Sequence, residues 1–108
     1  MTPQDAQRKK ERIIEAFNHD EQTLQDMENK LKNDLENIKF QDHIKEAVEK
    51  FLSKVLYCQR KIRIYREEIN RVTKTRLSRF HRQYNDDVGR LMIHLEDLNS
   101  TYEAVKKG

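Results

Sequence analysis

The 108-residue chain carries 22 basic and 19 acidic side chains, with two glycines and one proline, for a net charge of +3. That length holds one domain, mean hydropathy is −1.07, and apolar runs as short as Leu91-Met92-Ile93 exclude the stretch of about 20 apolar residues that a membrane span requires. The single cysteine, Cys58, excludes an internal disulfide; with no apolar stretch of signal-peptide type in MTPQDAQRKKER, a cytoplasmic protein is expected.

The chain begins with a helix start. Thr2 can cap, Pro3 suits the first helical position, and Asp5 faces the positive end of the helix dipole. Ile13, Phe17, Leu24, Met27, Leu31 and Ile38 then follow a heptad, with Ile14 and Leu35 widening the stripe. Asp20 and Asp34 interrupt it, so this first helix, near residues 3–39, reads as a cover for one side of a bundle. The phase is lost between Lys39 and His43, where a turn is expected with Asp42 as the next N-cap.

The strongest signal follows. Ile44, Val48, Phe51, Val55, Cys58, Ile62, Tyr65, Ile69 and Val72 recur at alternating steps of four and three, a seam that must lie against another helix. It predicts a helix over residues 43–71. A further stripe runs through Leu77, Phe80, Tyr84, Val88, Leu91, Leu95, Leu98, Tyr102 and Val105, predicting a helix over 75–106. Between Val72 and Leu77 the step is five, which fits either a turn or a stutter inside one continuous helix. Continuity would give a rod of roughly 95 Å at 1.5 Å per residue, which the first helix could only half cover. The expected fold is therefore all-α: an antiparallel, coiled-coil-type bundle of three helices, with the last two joined as one as the alternative.

Such a bundle reconciles 38% charged residues with order, because a narrow apolar stripe suffices to hold it. Its core is small, so burial is expected to be completed by self-association or by a partner.

Chemistry is not legible. His19, His43, His81 and His94 have no ligand at metal-site spacing, no glycine-rich loop cradles phosphate, and no nucleophile motif occurs. Cys58 lies on the seam as a small hydrophobe. Tyr65 and Tyr84 lie on the seams, as core packing rather than base-stacking platforms, and Met27 and Met92 read as gap fillers. Gly89, inside the last stripe, marks either a close helix approach or a tolerated position. No enzyme, cofactor or metal is expected.

Charge is more informative. Residues 54–82 hold 10 basic side chains against Glu67 and Glu68, a balance of +8, while residues 1–53 balance at −3 and residues 83–108 at −2. Arg60, Lys61, Arg63, Arg66, Arg71, Lys74, Arg76, Arg79 and Arg82 form a candidate patch for an anionic partner. A turn near Lys74 would gather part of it at one tip, where it could attract anionic lipid, an acidic protein or nucleic-acid phosphate.

Arg79-Phe80, Asp87-Val88, Leu95 and Tyr102 resemble the last helix of sorting-nexin-type BAR domains, over the final 45 residues or so. Val88 stands where those helices carry a second phenylalanine. The resemblance implies a dimeric, curvature-binding helical module; BAR domains being longer, it also implies a fragment or a shortened relative. The expected function is a non-enzymatic scaffold or adaptor for protein–protein interaction, oligomeric, with peripheral binding to an anionic membrane as the alternative and nucleic acid ranked below both.

Overall fold

A computed structural model describes residues 2–107 as three helical rods in a slender bundle. The first rod is α1 (Pro3–Asn37) and the second is α2 (Asp42–Glu68) with a 3-10 turn, Ile69–Arg71. The third opens with a 3-10 turn, Lys74–Arg76, and continues through α3 (Leu77–Tyr84), a π-helical turn (Asn85–Gly89) and α4 (Arg90–Lys107). The bundle measures 56 × 19 × 17 Å. No described helix is long and apolar enough to cross a membrane.

Local chemistry sets the ends. Thr2 caps α1 as its spacing implies, its hydroxyl accepting from the Asp5 amide at 3.2 Å ahead of Pro3. The helix stops at Asn37 rather than Lys39, and Ile38 turns extended (φ −109°, ψ 130°) and stays 38% exposed. It therefore leaves the stripe that its spacing assigned it to. Gln41, not Asp42, is the extended residue ahead of α2, and Asp42 sits in the first turn beside the amide dipole.

The five-residue step is a turn. Val72 and Thr73 are both extended (ψ 129° and 158°) between the two 3-10 turns, so the continuous-helix alternative is excluded. Neither glycine nor proline is needed there, because ordinary residues adopt these angles.

Pairings fix the direction of each rod. Glu21 and Glu28 of α1 meet Arg66 and Gln59 of α2, residue numbers falling as the others rise. Likewise Lys54, Cys58 and Lys61 meet His94, Met92 and Asp87. The first and third rods run together, joined at Lys9 to Ser78, Asp20 to Tyr84, Lys30 to Asn99 and Asp34 to Tyr102.

The seam of α2 forms the core with α1 and the third rod. Val48, Phe51, Val55, Cys58, Ile62, Tyr65 and Ile69 are buried, while Ile44 and Val72 are half-buried at its ends. From α1 come Ile13, Phe17, Leu24, Met27 and Leu31.

The third rod departs from the expected stripe. Phe80, Tyr84, Val88 and Met92 are buried, whereas Leu91 is half-buried and Val105 is 48% exposed. Three successive steps of four would carry an α-helix about 120° past its starting face. The wider π turn over Asn85–Gly89 takes up that rotation. Met92 rather than Leu91 then faces Cys58, with Sδ and Sγ 3.9 Å apart.

The two aspartates that break the first stripe are satisfied by tyrosines of the third rod. The Tyr84 hydroxyl donates to Asp20 at 2.5 Å, and Asp34, buried, accepts from Tyr102 and from Lys106. Tyr65 of α2 donates to Asp87 at 2.9 Å. Each phenol sits in an aromatic cluster: Phe17, Tyr65, Phe80 and Tyr84 with centroids 4.8–5.6 Å apart, and Phe40, Phe51 and Tyr102 at 6.2–6.4 Å. Edge-to-face contacts of this kind add to area burial.

Candidate anion-docking end

The turn between α2 and the third rod places Arg71, Lys74, Arg76, Arg79 and Arg82 at one end of the bundle, all exposed. The parallel course of the first and third rods brings a second set beside them: Arg8, Lys9, Lys10 and Arg12, with Lys9 bonded to Ser78 and the Arg8–Arg12 stretch sharing a hollow with His81. Sequence reasoning missed these four. They lie in a segment of net negative charge, and the parallel course of the first and third rods is the signal that places them here.

The resulting polarity is strong. Residues 2–17 and 70–84, which lie level with one another at this end, hold 9 basic and 3 acidic side chains, a balance of +6. The remainder holds 13 and 16, a balance of −3.

Two of the nine patch residues are engaged in the fold. Lys61 donates to both Asp87 oxygens at 2.7 and 2.9 Å, and Arg66 binds Glu21 and Asn18 while its guanidinium lies 5.6 Å from the Phe17 ring centroid. The hydrogen bond from Lys61 holds the Asp87 carboxyl below the usual carboxylate range against the opposing effect of burial, and Asp87 in turn raises the Lys61 ammonium. These two side chains staple helices and are withdrawn from the patch. Arg60 and Arg63 lie back along α2, Arg60 about 16 Å from Arg71 at 1.5 Å per residue. Among the described residues, Arg60, Arg63, Arg71, Lys74, Arg76, Arg79 and Arg82 form no ion pair.

At the turn itself the arginines are not scattered. Arg71, Arg76 and Arg79 line a hollow of about 420 Å³ with Thr73 and Gln83, Glu68 being its one carboxylate. A guanidinium offers five donors in a fixed fork and stays charged at any physiological pH, which suits carboxylate and phosphate oxygens.

The rest of the surface offers less. At the opposite end an apolar cleft of about 200 Å³ lies between Ile44, Val48 and Phe51 on one side and Leu98, Tyr102 and Val105 on the other. Tyr57, Ile64 and Ile93 are exposed, as single apolar residues often are. Cys58 is buried, and that burial pushes its thiol up to about 11. No three described His, Cys, Asp or Glu residues come together in a way that could hold a metal ion. Comparison with protein-family models, curated proteins and solved structures gives no match for this chain.

Proposed function

We propose that this chain is a non-enzymatic helical interaction module, an adaptor that docks through its basic end onto an acidic surface of a protein partner in the cytoplasm. One observation carries the reading: the apolar seam is taken up inside the chain, while the arginines and Lys74 at the turn stand exposed and, among the described residues, form no ion pair. A buried, unpaired Cys58 suits a reducing compartment.

Binding to a glutamate-rich peptide, followed by fluorescence anisotropy against salt, tests it. Complementary charge of this kind steers association and weakens with ionic strength. Wild type should bind with a clear salt dependence, and Arg76→Glu with Arg79→Glu and Arg82→Glu should abolish it. Binding that survives the triple reversal would sink the reading.

A second reading is peripheral attachment to an anionic membrane, favoured by the gathering of cations across one narrow end. Each basic residue near such a surface contributes about 1 kcal/mol. Sedimentation with phosphatidylserine vesicles but not neutral ones would favour it. Nucleic acid ranks lower, because three of the four tyrosines, Tyr65, Tyr84 and Tyr102, are buried and unable to stack on bases, leaving Tyr57 alone exposed.

A further inference from the structure

We infer that the hollow at the α2–α3 turn is a specific site for clustered phosphomonoesters, of the kind carried by a phosphorylated polyol either free or as a lipid headgroup. The inference rests on the basic end being the docking surface, and it adds a defined pocket to a diffuse field.

The hollow has the features of a site, and neutral donors with an apolar wall set it apart from the larger basic hollow formed by Arg8, Lys9 and Arg12. Arg71 leaves α2 from the 3-10 turn, Arg76 closes the opposing turn and Arg79 follows about one turn on, so three arginines line one chain reversal from both sides. The extended residues Val72 and Thr73 hold that reversal open. Thr73 and Gln83 add neutral donors to the lining, and Val72 and buried Phe80 give it an apolar wall. A volume near 420 Å³ lies inside the range of roughly 300–1,000 Å³ typical of small-molecule sites. It exceeds what a single phosphate needs and suits a ring bearing several.

Dianionic phosphate also meets the one opposing group. Glu68 on the rim repels any anion, and a monocarboxylate brings one charge against it. Vicinal phosphomonoesters bring several charges and accept two parallel bonds from each guanidinium, the strongest pairing available to arginine. Selectivity for clustered phosphate over carboxylate follows from that count.

The test is calorimetric titration with myo-inositol trisphosphate at near-physiological salt, using the full chain. Arg76→Gln with Arg79→Gln should weaken binding at least about tenfold. Arg8→Gln with Arg12→Gln removes equal charge from the same end outside the hollow, and should weaken it no more than about threefold. All four side chains are exposed, so unchanged circular dichroism is expected of both variants. Equal losses in the two pairs would overturn the site and leave a diffuse basic end. Absence of inositol phosphate binding with retained glutamate-peptide binding would overturn the site and spare the docking function, whereas loss of both would end both. Vesicles of phosphatidylinositol bisphosphate against phosphatidylserine at matched charge then separate the sources. A preference for the former that the Arg76/Arg79 pair abolishes assigns the lipid headgroup, and no preference beside tight soluble binding assigns the free polyol.

Discussion

Asp34 is the one charged side chain buried among the described residues, and its two donors, Tyr102 and Lys106, both come from the third rod. Truncating it to alanine strands the Tyr102 hydroxyl, so Asp34→Ala should destabilise the fold by about 2–3 kcal/mol in urea denaturation. Tyr102→Phe leaves Asp34 its lysine and should cost about 1 kcal/mol, with the double variant less than additive. The same group sets a pH limit. Burial alone would raise the Asp34 carboxyl, but the Tyr102 and Lys106 hydrogen bonds together outweigh it and hold the group low; Asp87 is lowered chiefly by Lys61. A lowered folded value means the stabilisation is present above the unfolded value near pH 4 and is lost as pH falls through the folded one. Acid titration by circular dichroism should therefore show unfolding below about pH 4, earlier in Asp87→Asn. Tyr65 is the alkaline counterpart: burial first, then its bond to Asp87, pushes the phenol up to about 12.

Among the elements, the π turn holds the clearest engineering prediction. Gly89 ends that turn without a positive φ, and a Cβ built there would meet nothing within 4 Å. Of the two readings its position allowed, the tolerated one is correct and no helix approaches. Gly89→Ala should stabilise by about 0.5–1 kcal/mol, and a melting curve that does not rise would contradict this. The sequence pattern does not mark this turn. The Ile44–Val72 seam keeps a strict 4-3 order, and its helix is where periodicity places it. The third stripe is ambiguous at Leu91-Met92, two adjacent apolar residues that fit a three-step or a four-step equally. Only the burial of Met92 beside Cys58 chooses between them. Asp20 and Asp34 read as interruptions because the tyrosines that satisfy them lie 64 and 68 residues away. The basic end was half legible for the same reason: residues 60–82 form a block in sequence, whereas Arg8–Arg12 join it only through the return of the third rod.

For the whole molecule, the radius of gyration of 16.9 Å exceeds the roughly 13 Å of a compact globule of this length, as a rod one helix pair wide requires. The seam from Val48 to Ile69 is buried within the single chain. Yet the rod is unevenly charged, +6 over residues 2–17 and 70–84 at one end and −3 over the remainder, along a length of 56 Å. At about 10 mM salt the screening length is roughly 30 Å, so opposite poles of neighbouring rods attract; at about 150 mM it falls to roughly 8 Å and they do not. Light scattering with small-angle X-ray scattering should thus find 13.1 kDa and a radius near 17 Å at the higher salt. At the lower salt, apparent mass should rise with concentration despite the net positive charge, and Arg76→Gln with Arg79→Gln should reduce that rise. A doubled mass independent of salt would instead locate self-association in an apolar surface, with the cleft between Val48, Phe51 and Tyr102 as the place to look.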